Sequence, residues 1–255
     1  MNTETIVPFD NEGLLTLATR CGGFYECPKD TDGKRLGPLV GYAGRDSLGR
    51  QYVGEVYVNF AKVERHPKAL SRVASLLLDK MLAHDNECMD MTSGFCGAPE
   101  GGKALAQALS VLTGKQYIFP EKKITALATD SSREQSELVW GRHEPRPVGG
   151  WWIVEDVCNN FSTTLKFVDL FRIYGSFPIG IICFLNRSIS TVDRLSVSMD
   201  GPDMPILYAV HKPFSQYEVG HMHVERDVSI GNVVWKPKAE WGRLTEAVAN
   251  ARVQQ

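Results

Sequence analysis

Glu155 and Asp156 stand side by side at the end of an apolar run, Trp151-Trp152-Ile153-Val154. Carboxylates enter such a run only where water, a counter-charge or a ligand offsets their desolvation. Two adjacent acids at a strand end have the chemistry to accept both protons of a ribose diol, or to hold a hydrated Mg2+. The next residues, Asn159-Asn160-Phe161-Ser162-Thr163-Thr164, are mostly hydrogen-bonding groups at the expected start of a helix, a place suited to phosphate. The plain structural alternative is an acidic strand end followed by a Ser/Thr helix cap. The motif in isolation leaves the two open.

A second stretch invites an anion. Gly97-Ala98-Pro99-Glu100-Gly101-Gly102 precedes a helical segment beginning at Lys103. Glycines between a strand and a helix let backbone N–H groups approach an anion, and the helix N-terminus adds positive potential. The stretch has neither the Gly-Lys-Ser/Thr of a Walker loop nor the glycine spacing of a dinucleotide fingerprint. A tight connection is the ordinary reading of such a turn. Lys122 and Lys123 form a basic pair before a long polar segment, and a solvated surface is their ordinary reading.

The elements that must carry these residues follow from periodicity. Leu39–Ala43 and Gln51–Phe60 read as strands flanking the turn at Asp46–Arg50. A helix follows Pro67, with Leu70, Val73, Leu76 and Leu77 at helical spacing. Met89–Phe95 is a weak strand, Gln116–Phe119 a short one, and Trp151–Val157 a buried one. Thr163–Tyr174 is helical and stops at Gly175, and Pro178–Leu185 and Ile206–Val210 are further strands. Ala239–Arg252 reads as a closing helix. Thr129–Gly149 is polar and aperiodic, a long loop with room for a hairpin around Leu138–Trp140. Strand, glycine turn, helix and strand, repeated, predict parallel β-α-β units, so an α/β fold with a central, mainly parallel sheet flanked by helices. In such sheets ligands sit beyond the carboxyl ends of the strands, where both unusual loops fall.

Composition bounds the rest. The 255 residues are 43% hydrophobic and 23% charged with net charge −2, so no bulk field favours nucleic acid or an acidic membrane. Met1–Thr5 carries no positive charge or apolar core, and no apolar run approaches the roughly 18 residues of a membrane span. A cytoplasmic protein is expected, with no nucleic-acid or membrane partner. Six cysteines without a Cys-x-x-Cys pair read as thiols, and His221-Met222-His223 lacks a third metal ligand.

Trp151–Thr164 resembles the phosphoribosyl-pyrophosphate signature of type I phosphoribosyltransferases: an apolar strand, two acids, Val, an apolar residue, then a phosphate loop. Gly97–Ala106 is similar to the pyrophosphate loop and following helix of the orotate phosphoribosyltransferases. Tyr117–Lys123 sits where that subfamily carries a basic strand end before its catalytic loop. The three segments come in family order and cover roughly residues 51–188. The resemblance implies one phosphoribosyltransferase-like domain over residues 1–255. It would comprise an N-terminal β-containing hood and base site to about residue 60, a core over 61–210 and a C-terminal extension over 211–255. It also implies that Glu155 and Asp156 bind the ribose hydroxyls and that Asn159, Asn160, Phe161, Ser162 and Thr163 cradle the 5′-phosphate. Gly101 and Gly102 would offer backbone to the pyrophosphate beside Lys122, Lys123 would follow the departing charge, and Arg50, Tyr57 and Phe60 would lie near the base.

The implied reaction joins a nucleobase to phosphoribosyl pyrophosphate, giving a nucleoside monophosphate and pyrophosphate. Mg2+ would ride on the pyrophosphate, with Glu155 and Asp156 as possible ligands, in a homodimer. Against the family pattern, Asn160-Phe161 stands where Thr or Ala and then Gly are usual, and Phe119-Pro120 where an Arg-Lys pair is usual. A degenerate member that senses a phosphosugar or nucleotide without turnover is therefore the alternative expectation. An unrelated α/β enzyme using Glu155-Asp156 for a metal is a third.

Overall fold

A computed structural model describes residues 11–84, 88–126, 135–188, 193–196 and 203–254. Met1–Thr5 and the start of the polar Thr129–Gly149 segment lie outside the described residues.

The chain opens with α1 (Asn11–Arg20), β1 (Phe24–Glu26), β2 (Leu39–Arg45), β3 (Gln51–Gly54), β4 (Val56–Val58) and α2 (Phe60–Glu64). Then come α3 (Pro67–His84), α4 (Cys88–Met91), β5 (Thr92–Gly97), α5 (Lys103–Thr113), β6 (Gln116–Ile118), β7 (Glu121–Ala126) and β8 (Gln135–Val139). The remainder is β9 (Gly150–Cys158), α6 (Ser162–Ile173), β10 (Phe177–Asn186), β11 (Arg194–Leu195), β12 (Met204–His211), α7 (Glu225–Ser229), β13 (Val233–Val234) and α8 (Trp241–Gln254). Two compact units divide it: residues 1–14 with 63–212, and residues 15–62 with 213–255.

The larger unit is a mixed α/β layer structure. Its six-stranded sheet has the order β11-β12-β10-β9-β5-β6, parallel throughout except for the edge strand β11. The most apolar strands take the centre, because a strand covered on both faces must be hydrophobic on both. In β9, Trp151, Trp152, Ile153 and Val154 are all at most 1% exposed. Alternation divides them between faces, and Trp151 and Ile153 pack with Phe167 and Phe171 of α6. Helix α6 ends as its sequence requires, with Gly175 in the left-handed region at φ 65°.

The polar segment after β6 is a ribbon of its own. Strands β7 and β8 pair antiparallel, with Lys122 opposite Leu138 and Lys123 opposite Glu137. Met89–Phe95 also departs from the single strand expected of it, because α4 takes its first residues and β5 starts at Thr92.

In the smaller unit, the C-terminal strand β13 joins the N-terminal pair β2–β3, lying parallel to β2 with Val233 opposite Leu39. Helix α8 closes this unit: Trp241 and Leu244 pack with Tyr25, Val40 and Tyr42, and the Trp241 indole donates to the Gly22 carbonyl at 3.1 Å. The expected single strand Gln51–Phe60 is broken at Glu55. Before it, β3 pairs with β2, and after it, β4 pairs with β1. Glu55 sits at this switch because Lys29 (2.8 Å) and Arg35 (2.7 Å) hold its carboxylate.

Candidate active site at the strand ends

Strand β9 carries Glu155 and Asp156 toward its C-terminal end, between β10 and β5. Parallel pairing brings the end of β5 alongside, with Gly97 opposite Val154. The glycine stretch therefore starts at the acidic pair's own level. The Ala98 N–H donates to the Val154 carbonyl at 2.8 Å, and the Gly102 N–H donates to the Ala98 carbonyl at 2.9 Å. This folds the loop onto β9. A Cβ at Gly101 would stand 2.1 Å from Asp156 Oδ2, and one at Gly102 would stand 1.9 Å from the Val154 carbonyl oxygen. Both positions need glycine, because only a chain without Cβ fits that close to the carboxylate and the strand backbone. Helix α5 then begins without a side-chain cap.

The second loop meets the same edge. Cys158 ends β9, the Asn160 side-chain oxygen accepts the Ser162 N–H at 3.3 Å, and α6 starts at Ser162 with no side-chain cap. With the Ser162 N–H engaged by Asn160, the Thr163 and Thr164 N–H groups of that first turn are available to an anion. Thr164 is fully buried in that turn, and its hydroxyl has no hydrogen-bond partner among the described residues. Phe161 adopts φ 56° and ψ 16°, the left-handed region. Left-handed geometry costs an ordinary residue roughly 1–2 kcal/mol. The Phe161 ring offsets that cost by packing against the cluster of Cys158, Val168, Ile181, Met204 and Ile206. Phe161→Ala should lose the packing and keep the strain, whereas Phe161→Gly loses the packing and relieves it. Denaturant titration is expected to find the glycine variant the more stable of the two by about 1 kcal/mol; the reverse order would mean that Phe161 is unstrained.

The two acids differ in charge state. Burial, and then the neighbouring Asp156 charge, push the Glu155 carboxyl up to about 8. Glu155 is therefore mostly protonated at neutral pH, leaving Asp156 to carry the negative charge, as expected where like charges crowd a poorly hydrated site. The folded chain keeps a proton on Glu155 that the unfolded chain releases at ordinary carboxyl pH. Stability from this group accordingly declines as pH rises from about 4.5 toward about 8. Glu155→Gln abolishes that dependence. Thermal melts should show the variant gaining on the parent by several degrees between about pH 5 and about pH 9; a gap that does not change with pH would mean that Glu155 titrates normally.

The lysines are carried by a different element. Lys122 and Lys123 are on the β7–β8 ribbon, outside the six-stranded sheet, and the exposed Lys123 faces Glu137 at 3.5 Å. A surface pair of that kind contributes little stability, about 0–1 kcal/mol. In the smaller unit, Arg50 is tied to Asp46 at 2.8 Å, Tyr57 rests on Trp241 at 6.2 Å, and Phe60 is 1% exposed.

Two features escaped the sequence. Lys103 pairs with Glu100 at 2.8 Å and lies 4.7 Å above the Phe119 ring, which places a cation on the glycine loop. Asn186 ends β10, one strand over from the acids, Arg187 and Ser188 follow it, and all three are buried. The Arg187 N–H donates to the Cys158 carbonyl at 2.9 Å, and the Ser188 hydroxyl donates to Asn186 Oδ1 at 2.7 Å. Polar residues directly after the apolar run Phe177–Leu185 were the available signal.

No group of three His, Cys, Asp or Glu side chains suited to a metal occurs among the described residues. Asp156, the ionised member of the acidic pair, fits an ion whose other ligands come from substrate and water. Cys21, Cys27, Cys96, Cys158 and Cys183 are free thiols, and no helix among the described residues is long and apolar enough to cross a membrane.

No protein-family profile matches the chain, and no curated protein matches it in sequence. Among solved structures it is similar to the Leishmania donovani UMP synthase, at 13% identity and TM-score 0.48, covering 93% of this chain and 41% of that one. The chain thus spans well under half the length of that structure. It is also similar to the Aeropyrum pernix orotate phosphoribosyltransferase (14% identity, TM-score 0.48, covering 78% of this chain and 93% of that one). A third is the Mycobacterium tuberculosis H37Rv orotate phosphoribosyltransferase (15%, TM-score 0.46, 80% and 97%). In three dimensions the chain is similar to phosphoribosyltransferases, orotate ones among them, and it carries little of their sequence.

Proposed function

We propose that this chain is a phosphoribosyltransferase of the orotate type, joining a nucleobase to phosphoribosyl pyrophosphate with release of pyrophosphate. The observation that carries the reading is the glycine backbone laid against Asp156, next to the uncapped start of α6. A diol acceptor and two backbone anion sites at one sheet edge match a sugar with phosphate groups at both ends.

In this reading Asp156 accepts from the ribose hydroxyls, and protonated Glu155 adds a neutral hydrogen-bonding group beside it. Backbone N–H groups of residues 159–163 hold the 5′-phosphate, with Ser162 and Thr163 adding hydroxyls. Gly101 brings its backbone to the pyrophosphate, Gly102 holds the loop against β9 with its N–H engaged by Ala98, and Lys122 and Lys123 neutralise the departing charge. The transition state gains positive character at the anomeric carbon, so Asp156 stabilises it electrostatically while the loops keep water out. Mg2+ would be held by Asp156 together with substrate oxygens, and supplies charge neutralisation on the pyrophosphate. Arg187, a buried cation at the adjoining strand end, suits a base that carries a carboxylate, which supports the orotate assignment. The protein works as a cytosolic homodimer in this reading, and residues 1–255 act as one phosphoribosyltransferase-like domain with its hood and extension.

A non-catalytic sensor of a phosphosugar or nucleotide is the second reading, favoured by the strained Phe161 where close backbone approach is needed. One experiment separates them. Purified protein with Mg2+ and phosphoribosyl pyrophosphate is offered orotate and a panel of other bases, while pyrophosphate release and calorimetric binding are followed. Turnover with orotate is the expected result. Binding without release across the panel replaces the enzyme with the sensor, and no binding ends both.

A further inference from the structure

A cavity of about 570 Å³ lies wholly within the unit of residues 15–62 and 213–255, and shares no residue with the strand-end site. Its floor is an ion-pair network. Arg35 donates to Glu55 at 2.7 Å, to Asp227 at 3.0 Å and to the His223 carbonyl at 2.7 Å. Lys29 takes the other Glu55 oxygen at 2.8 Å, and the Asn232 amide donates to Asp227 at 2.8 Å. Both carboxylates are thereby satisfied from within.

Lys34 and Arg226 line the same cavity, are exposed, and have no ion pair among the described residues. Four cationic side chains thus face two carboxylates, in a chain whose net charge is −2. That local excess, above a floor already neutralised, attracts an anion. The wall beside it is aromatic, with the Tyr217 and His223 rings meeting edge to face. The Tyr217 ring lies 5.8 Å from that of His223, and His223 stacks on His221 at 5.1 Å. The His-x-His pair sits in the turn before α7.

We propose that this cavity binds a nucleoside phosphate, with its phosphate between Lys34 and Arg226 and its base against Tyr217 and His223. Charge-assisted contacts hold the phosphate, and stacking selects a planar group over a bare anion. The inference does not depend on the activity at the strand ends.

The test is calorimetric titration of the full chain with uridine 5′-monophosphate, and separately with inorganic phosphate. The parent, Lys34→Gln/Arg226→Gln and Asp156→Asn are compared. Both changed cations are exposed, so an unaltered melting temperature is the control for folding. Binding that persists in Asp156→Asn and weakens at least tenfold in the double variant is expected, with inorganic phosphate at least tenfold weaker than the nucleotide. Three results would overturn the proposal: no nucleotide binding by the parent, equal binding by the double variant, or inorganic phosphate binding as tightly as the nucleotide. Loss in Asp156→Asn with none in the double variant would assign the nucleotide to the strand ends instead.

Discussion

Alanine at Gly102 is expected to lower the melting temperature by about 10 °C and to remove binding of phosphoribosyl pyrophosphate. Its Cβ would be built 1.9 Å from the Val154 carbonyl oxygen and 2.8 Å from the Ala98 nitrogen. Neither neighbour is the tip of a flexible side chain. Val154 is fully buried in a central strand, and Ala98 is tied to it by the 2.8 Å hydrogen bond that folds the loop down. Overpacking costs roughly 1–3 kcal/mol in most cores and more where backbone must move. At roughly 2–4 °C per kcal/mol for a chain of this size, the upper end gives the stated shift. Function should suffer further than stability, because the loop must lift away from Asp156 to admit the methyl group. A melting temperature within about 2 °C of the parent would show that the loop does not lie against β9.

Asp156→Asn is the second large effect, and it should leave stability near that of the parent. Asparagine keeps the shape and the acceptor that receives the Val157 N–H at 2.9 Å. It loses the charge. A hydrogen bond to a charged group is worth about 1.5–3 kcal/mol, and a ribose diol makes two. A fall of roughly 100-fold to 1000-fold in kcat/KM follows, read by pyrophosphate release, with phosphosugar affinity falling too. Glu155→Gln is the informative partner. With its carboxyl pushed up to about 8, Glu155 is already neutral at working pH. The amide should therefore cost less than about tenfold. Equal losses in the two variants would mean that Glu155 is ionised when substrate is bound, and the division of labour between the acids would fall.

The main elements were legible because their signals are local. The helix after Pro67, the buried run from Trp151, the helix stopped by Gly175 and the strand that follows it appear where periodicity and glycine place them. The errors have a common origin in partners far along the chain. Gln51–Phe60 alternates like one strand, but it changes sheets at Glu55, because Lys29 and Arg35 draw that carboxylate aside. Lys122 and Lys123 read as a strand end. They lie within a ribbon because Glu121–Ala126 finds its partner in Gln135–Val139.

By itself, the sequence determined the parallel β-α-β order and the acid pair at a strand's end. It also determined the two polar or glycine-rich loops after strands, since all of these depend on neighbours a few residues apart. Tertiary structure alone decided that the glycine loop touches Asp156, because that contact needs β5 and β9 to be adjacent in the sheet. It also decided that Phe161 takes left-handed geometry, that Arg187 is buried at the neighbouring strand's end against Cys158, and that residues 213–255 complete a unit begun by residues 15–62. Which strands become neighbours is a property of the assembled sheet, and no local pattern of side chains encodes it.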